Sequence, residues 1–532
     1  MRLTSFLITL ALVTGLSAQP AGQPAPIRVL STEVDNINPL LITAEDQIPI
    51  VDLMFDRLVG MNAQGEFIPE ILEHWELSPD KRQATLVVRP GLAWQDGHPL
   101  DAEDILFTWK LIRTPAMVKA GDNQGRWIPN MTKVGRLTLK VTSSAPMATL
   151  LAELYNFIPV PSHLYKPVTD PANHAFNWAP VGSGPYRVLP GATGKDVRLV
   201  RWEGYRGPYP GKAPAFVFKT VQGSYPKAMY AGEGDFLNYS SSWLPNYLLQ
   251  KGVVGGGRLV AFNTVQDGFS ALWMNCDPQR SVLADVRLRQ ALANLIPFDE
   301  YARQRIVRPI QVANSVWHPL SWAFDPTPKP LPKRELALQL LDQAGWTLGP
   351  KGWRQNARGQ ELILTFYLAG SLNQTPVVKR WVECLQEAGV RVDCQVVSTS
   401  GIFKMQYQGK GDIWMSGWVN NGPDPSGDRL LYSSEGIQSR TNWSSFRNAE
   451  VDRLFELGAQ EVDLEARKGI YQRINQILFR ERPLILLEYS PAYAMATKEL
   501  KGVVFSGRGM NYGFIPGMRG WSLAPGGTQT MP

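Results

Sequence analysis

Histidine, cysteine and serine are the residue types that most often bind metals or act as nucleophiles. In this 532-residue sequence few of them have the spacing that such sites require. Its five histidines are scattered rather than spaced as metal ligands, at His74, His98, His163, His174 and His318. Ser183 lies between two glycines, but the segment has neither the Gly-Lys-Ser/Thr ending of a phosphate loop nor the Gly-x-Ser-x-Gly frame of a nucleophile elbow. We therefore expect no enzyme activity, no metal site and no cofactor.

The cysteines and the charge narrow the class of protein further. Cys384, near the end of a predicted helix, and Cys394, in the following strand, form a disulfide only if their Cα atoms lie within about 7 Å. Two unpaired thiols are an equally supported alternative, and Cys276 is expected in the core. The net charge of +7 is spread along the chain among nearly as many acidic residues. We expect a solvated surface and no nucleic-acid partner.

Residues 94–104 join a tight turn to a capped helix. Asp96 and Gly97 supply the positive φ angles of a short hairpin turn, and Asp101 is placed to accept a free amide of the helix that follows. That helix positions a set of apolar residues on one face, namely Ile105, Leu106, Trp109 and Ile112.

Length and composition, with 44% hydrophobic and 19% charged residues, predict a soluble protein of roughly two to four domains. The pattern predicts a strand at 27–30, a helical stripe at 51–58, and a mixture of short strands and helices up to residue 177. Between residues 270 and 480 helices stop at glycines such as Gly345 and Gly389 and lead directly into strands, which is typical of a sheet covered by helices. The last long helix, 449–480, is expected to break around Asp463.

The first eighteen residues have the features of a secretory signal peptide. Met1 and Arg2 precede an apolar run from Phe6 to Leu16, and Ser17 and Ala18 provide small residues for cleavage. The apolar run is too short to span a bilayer. No cysteine stands at the expected cleavage site, so we expect a freely diffusing periplasmic protein without a lipid anchor.

Several blocks, in order, resemble the peptide/nickel/opine family (family 5) of extracytoplasmic solute-binding proteins, which deliver ligands to ABC importers. Residues 94–104 resemble its "W-x-D-G-x-P-[LF]-x-A-x-D" signature, and residues 69–78 resemble "P-x-L-A-x-x-W-x-x-S". Further matches are found at 181–186 ("V-G-T-G-P-Y"), 285–292 ("D-x-R-V-R-Q-A-L"), 340–346 ("L-L-x-E-A-G-[WY]") and 448–454 ("N-x-E-[VF]-D-x-L").

The resemblance implies an α/β fold, a two-lobed periplasmic-binding-protein fold (type II, cluster C-like) with an extra α+β subdomain inserted in lobe I. Lobe I would comprise 27–59, 178–268 and 485–532, the inserted subdomain 60–177, and lobe II 269–484. Two chain crossings, near 267–275 and 483–489, would form the hinge. Rigid lobes joined in this way close on a ligand that binds the closed form more tightly.

The resemblance also implies the positions that face the ligand, with Trp418 first among them because a glycine precedes it and a polar run follows. Of the others, Phe269 and Trp273 match family pocket positions more weakly. The full set is Glu33, Val34, Ser240, Ser241, Phe269, Trp273, Trp418, Asn420, Asn421, Asp424 and Tyr489.

Two departures from the family pattern concern the ligand. Asn421 stands where peptide binders often have an Asp that pairs with the ammonium group, and the segment after 362–367 lacks the Arg that binds a C-terminal carboxylate. Asp424 or Glu33 are the candidates to replace the amine anchor. Peptides remain the first expectation, because peptide transport is the commonest role in the family. An oligosaccharide or other uncharged polar solute is the next expectation, since family members that bind oligosaccharides use aromatic surfaces and neutral amides, which Trp418, Asn420 and Asn421 provide.

The remaining expectations concern partners. The resemblance implies ABC permease subunits as partners of a monomer. A nickel carrier and a ligand-sensing receptor are further alternatives within the family, and the sequence shows no cage of nickel ligands.

Overall fold

The computed structural model describes residues 25–42, 44–120, 125, 127–165, 170–221, 223–239, 257–298, 311–327, 330–369, 376–420, 422–507 and 512–524. The expected signal peptide, together with Ser240, Ser241 and Asn421, lies outside these residues.

The strands are β1 Ile27–Leu30, β2 Val59–Met61, β3 Phe67–Pro69, β4 Leu72–Leu77, β5 Gln83–Val88, β6 Asn130–Gly135, β7 Thr138–Thr142, β8 Tyr186–Val188, β9 Asp196–Arg201, β10 Ala215–Lys219, β11 Phe236–Tyr239, β12 Leu259–Met274, β13 Thr347–Leu348, β14 Arg354–Gln355, β15 Ile363–Ala369, β16 Arg391–Val397, β17 Ile413–Val419, β18 Leu484–Thr497, β19 Leu500–Lys501 and β20 Ser522–Leu523. The α-helices are α1 Ile48–Met54, α2 Ala102–Leu111, α3 Pro115–Ala120, α4 Leu150–Asn156, α5 Tyr225–Ala231, α6 Val286–Asn294, α7 Arg334–Gln343, α8 Pro376–Glu387, α9 Thr399–Gln408, α10 Arg429–Tyr432, α11 Gly436–Ser439, α12 Ala449–Gln460 and α13 Leu464–Glu481.

One mixed ten-stranded sheet runs through the molecule in the order β16-β15-β17-β12-β18-β11-β1-β10-β9-β8. Its two central strands, β12 and β18, are long and antiparallel and belong to both halves of the sheet. Their register shifts between Val265 and Phe269, so the ladder is interrupted there. On one side of the interruption β18 pairs with β11, and on the other side β12 pairs with β17.

The buried apolar residues fall into separate clusters on the two sides of this interruption. The largest cluster contains residues from 27 to 218 together with Phe236 and residues from 494 to 521. Two further clusters are built only from residues between 269 and 489. Because each side of the sheet buries its own apolar surface, the molecule has two lobes that share two strands.

A separate four-stranded antiparallel sheet, in the order β4-β5-β7-β6, lies within residues 72–142. The turn at 94–99, which lies between β5 and β6, has the expected geometry at Gly97: its φ is 92°, and the amide of Trp94 donates to the carbonyl of His98 over 2.8 Å. Asp101 caps α2 by accepting the amide of Glu103. The predicted hairpin turn and capped helix are thus confirmed, but the positive φ expected of Asp96 is wrong, because Gly97 alone supplies it in this turn.

Most other local predictions are confirmed, including the helix stops at Gly345 and Gly389, whose φ angles are both 84°. The predicted break near Asp463 is also confirmed, because Asp463 caps α13 by accepting the amide of Ala466.

The helical stripe predicted for 51–58 is wrong in its bounds, because α1 spans Ile48–Met54. The loop around Ser183 ends it: the amide of Gly184 donates to the Met54 carbonyl over 2.8 Å, and the Ser183 hydroxyl accepts the amide of Asp56. A Cβ on Gly182 would lie 2.0 Å from the Met54 oxygen, so this crossing of two backbones requires glycine.

All three cysteines lie among the described residues and are free thiols. Cys384 is buried in the core of the second lobe, and Cys394 lies partly exposed on β16. None of the described helices combines the length and apolar character needed to cross a membrane.

Candidate functional site

A cavity of about 250 Å³ opens between the two lobes. Its walls come from the first lobe and its inserted region, and from two parts of the second lobe, the segment 317–322 and the end of β17 with the loop that follows it. The lining residues are Met61, Ala63, Gln64, Gly65, Gly125, Trp127, Glu153, Asn156, Asp267, Trp317, Leu320, Ser321, Trp322, Trp418, Asn420, Gly422, Pro423, Asp424, Pro425, Gly427, Asp428, Ser506 and Gly507.

Trp418 contributes an aromatic surface to this cavity. It is the last but one residue of β17, and alternation along the strand places it on the same face as the fully buried Trp414. Its ring packs edge-on against Trp443, with centroids 5.5 Å apart. The side chain is partly exposed, so one part of the indole remains available to a ligand.

The buried carboxylate of Asp428 fixes two of the tryptophans. The indole N–H of Trp418 donates to its Oδ1 over 2.9 Å, and the indole N–H of Trp317 donates to its Oδ2 over 3.1 Å. Bonds from neutral donors to a buried carboxylate are strong and directional. Asp428 therefore holds the orientation of the cavity's aromatic wall.

The crossing strand β12 reaches the cavity at Asp267, next to the interruption of its ladder. The Asn420 backbone amide donates to the Asp267 carbonyl, and the Asn420 side-chain amide donates to Asp267 Oδ1, both over 2.8 Å. Both residues are buried. The cavity wall is thereby tied to the strand on which the lobes are joined.

Asp424 also lines the cavity, but Arg467 already holds its carboxylate. The guanidinium makes two bonds to the two oxygens, of 2.7 and 2.8 Å, and both side chains are largely buried. Burial alone lowers the pKa of Arg467, but the Asp424 carboxylate outweighs that effect and the net shift is upward. A ligand ammonium would have to compete with this ion pair, so the pairing weakens the expectation that Asp424 replaces the amine anchor.

Of the sequence-predicted ligand positions, the structure brings Trp418, Asn420 and Asp424 together on the cavity wall. Five others do not line it: Glu33, Val34, Phe269, Trp273 and Tyr489. Contact of any of these residues with a ligand stays a prediction.

Four of those five are buried in the hydrophobic interior. Val34 belongs to the core of the first lobe, whereas Phe269, Trp273 and Tyr489 belong to that of the second. Burial raises the pKa of Tyr489 well above its usual value, and its hydroxyl donates to Asn314 Oδ1 over 2.9 Å. The fifth, Glu33, is exposed, and its carboxylate lies 3.8 Å from the Lys195 ammonium.

Sequence reasoning missed several residues of the cavity wall, among them Trp127, Trp317, Trp322 and Asp428. No local pattern marks them, because they come from loops whose positions depend on contacts across the lobe. Asp428 had one signal: it follows the polar run after Trp418 by four residues.

The expectation that all five histidines are scattered is also wrong. His98 and His163 are 65 residues apart in sequence, yet their rings stack with centroids 3.9 Å apart. Neither lines the interlobe cavity.

Comparison with known proteins gives one family. The family model for bacterial extracellular solute-binding proteins, family 5, matches residues 66–439. The dipeptide-binding protein of Escherichia coli K12 is 21% identical over 514 residues, covering 90% of this chain and 91% of the relative.

Solved structures agree in fold. The oligopeptide-binding protein AppA of Bacillus subtilis, solved with a nonapeptide, superposes with a TM-score of 0.82 at 20% identity, covering 94% of this chain and 99% of that one. NikZ of Campylobacter jejuni, solved with Ni(L-His), gives a TM-score of 0.80 at 21% identity, covering 93% and 99%. With its two lobes, its shared strands and this family match, the chain belongs to the bacterial extracellular solute-binding proteins of family 5.

Proposed function

We propose that this protein is the exported binding component of an ABC importer, and that it holds a peptide in the interlobe cavity and presents it to permease subunits. The observation that carries the proposal is the cavity itself, whose walls come from both lobes. A ligand that contacts both walls stabilises the closed arrangement, and a permease that recognises only that arrangement distinguishes loaded from empty protein. The names of the relatives that bind dipeptides and a nonapeptide support the peptide assignment.

The charges of the lining residues indicate which end of a peptide is recognised. The acids on the wall are Glu153, Asp267, Asp424 and Asp428, and the described lining contains no Lys or Arg. A free C-terminal carboxylate therefore has no cationic partner on the described wall. An ammonium group meets the negative charge of Glu153, Asp267 and Asp428, whereas the charge of Asp424 is balanced by Arg467. We propose that the ligand is bound through its amino end and its backbone, with side chains against Trp322 and Trp418.

The proposal includes the organisation of the chain. We propose export through residues 1–18, a monomer in solution, and lobes divided at 27–59, 178–268 and 485–532 (lobe I), 60–177 (its inserted subdomain) and 269–484 (lobe II). The separation of the apolar clusters supports this division except at 485–489, where Ile485, Leu486, Leu487 and Tyr489 pack in the clusters of the second lobe. The interruption between Val265 and Phe269 supports a hinge close to the first predicted crossing.

A thermal-shift screen tests the ligand class, because a ligand that binds only the folded state raises the melting temperature. The panel contains di-, tri- and oligopeptides, each also with an acetylated N-terminus or an amidated C-terminus, beside oligosaccharides. We expect peptides to stabilise the protein, acetylation to abolish the shift and amidation to preserve it. Stabilisation by oligosaccharides alone would overturn the peptide assignment.

A further inference from the structure

Two histidines and an aspartate meet outside the interlobe cavity. Asp96 and His98 belong to the hairpin turn at 94–99, and His163 belongs to the segment 161–165. His163 Nε2 lies 2.6 Å from Asp96 Oδ2, and His98 Nδ1 lies 3.3 Å from Asp96 Oδ1. One ligand atom from each residue lies within 4.8 Å of the others.

The buried carboxylate of Asp104 holds these two segments together. Ser162, which precedes His163, donates its amide and its hydroxyl to Asp104 Oδ1 over 2.9 and 2.7 Å. Trp94, at the start of the hairpin, donates its indole N–H to Asp104 Oδ2 over 3.1 Å. One buried acceptor therefore fixes the backbone beside His163 relative to the hairpin that carries Asp96 and His98.

The other side of the hairpin is fixed by Gln95. Its side-chain amide donates to the carbonyls of Tyr186 and Gly184 over 2.7 and 3.1 Å, and its carbonyl accepts the amide of Gly182 over 3.0 Å. Ser162 and Gln95, which adjoin His163 and Asp96, are thus both held by hydrogen bonds. Bringing the three side chains of the cluster together therefore requires little further ordering of the backbone.

We propose that Asp96, His98 and His163 bind a single divalent transition-metal ion of the Zn²⁺, Ni²⁺ or Cu²⁺ class. Imidazole nitrogen with carboxylate oxygen is a donor set that these ions accept, whereas Mg²⁺ and Ca²⁺ prefer oxygen alone. The ion would connect the hairpin to the 161–165 segment at a place separate from the ligand cavity.

One of the observed contacts already has the spacing that such an ion requires. Bonds of about 2.0–2.1 Å in a tetrahedral site separate neighbouring ligand atoms by about 3.3 Å. The contact between Asp96 and His98 already has that length, at 3.3 Å. The shorter contact between Asp96 and His163 is a hydrogen bond, and it widens when the ion replaces the proton between the two atoms.

Solvent reaches the site, because the His98 side chain is 60% exposed and those of Asp96 and His163 are each 26% exposed. Three protein ligands would leave the remaining positions to water. Exchange with metal in solution is therefore open, and substitutions at the histidines are expected to leave the fold intact.

Isothermal titration of the tag-free, EDTA-treated protein with CuCl₂ and ZnCl₂ tests the proposal. We expect one equivalent to bind, and the His98→Ala and His163→Ala variants each to weaken binding by at least about tenfold. The matched control is His74→Ala, which removes an exposed histidine on β4. Binding to this control and to Trp418→Ala, altered in the ligand cavity, should match the wild type.

Electron paramagnetic resonance of the Cu²⁺ form provides a second readout. The wild type should show coupling to two imidazole nitrogens and each single histidine variant coupling to one, with the melting temperature of the metal-free protein unchanged. Wild-type affinity in the His98→Ala, His163→Ala double variant would overturn the proposal, as would a wild-type protein that binds neither ion at micromolar concentration.

Discussion

The contact between Trp418 and Asp428 gives a graded prediction for ligand affinity. Trp418→Phe keeps an aromatic ring but removes the indole N–H that donates to Asp428 over 2.9 Å. A hydrogen bond to a charged group contributes about 1.5–3 kcal/mol. Because this bond also exists in the ligand-free protein, its loss lowers affinity only as far as the ring loses the orientation that the ligand requires, and we expect a loss of roughly tenfold at most. Trp418→Ala removes the ring surface as well, and we expect a loss of about a hundredfold.

The effect should appear in binding more than in folding, because Trp418 is only partly buried and lies at the cavity wall. Titration calorimetry with the peptide that gives the largest thermal shift measures affinity, and urea unfolding measures stability. The matched control is Trp109→Phe, which removes an indole N–H that donates to the Ile128 carbonyl over 3.0 Å, away from the cavity. We expect this control to lose a comparable small amount of stability and to keep its ligand affinity.

The order of the variants decides the interpretation. If Trp418→Ala binds the peptide within twofold of the wild type, Trp418 does not contact the ligand and the proposed site is misplaced. If Trp418→Phe and Trp418→Ala lose the same affinity, the hydrogen bond to Asp428 accounts for the whole effect and the ring surface for none.

Two further predictions concern stability. Burial raises the pKa of Glu45 from 4.5 to about 7. Between these two pH values the folded state keeps a proton that the unfolded state has lost. The free energy of unfolding should therefore fall by about 3 kcal/mol as pH rises through this interval. Glu45→Gln should remove this loss of stability, which denaturation curves measure between about pH 4 and pH 8, a range that spans both pKa values. A variant that keeps the pH dependence of the wild type would refute the raised pKa of Glu45. Arg519 lies 3.0 Å from Asp56 and 3.1 Å from Glu70, all three buried, so Arg519→Met should cost about 3–5 kcal/mol by leaving carboxylates without their cation. Arg519→Lys should cost less stability, and both variants should keep their peptide affinity in calorimetry. A loss of less than about 1 kcal/mol of unfolding free energy in Arg519→Met would contradict the importance of this cluster.

Local chemistry explains why parts of the fold were predictable. The hairpin at Gly97 and the cap at Asp101 depend on hydrogen bonds between residues at most four apart. The stops at Gly345 and Gly389 depend on positive φ angles that glycine adopts at low cost. The residues that produce these turns and helix ends lie within a few positions of one another, so these elements can be predicted from the local sequence.

The ligand cavity was only partly predictable for the opposite reason. Trp418 and Asn420 follow from the family resemblance, but Trp317 joins them through a carboxylate 111 residues away in sequence. Arg467, which occupies the Asp424 carboxylate, is 43 residues from it. Neither contact has a local signature.

The sequence by itself determined the family, through blocks that resemble its signatures in order. It also determined the alternation of helices and strands and the turn chemistry, because those depend on short-range hydrogen bonds and on apolar periodicity. Tertiary structure alone decided where α1 ends, that Arg467 holds the Asp424 carboxylate, and that His98 and His163 meet beside Asp96. These outcomes depend on groups brought together from distant segments, and their distances are set by tertiary packing within each lobe rather than by residue spacing along the chain.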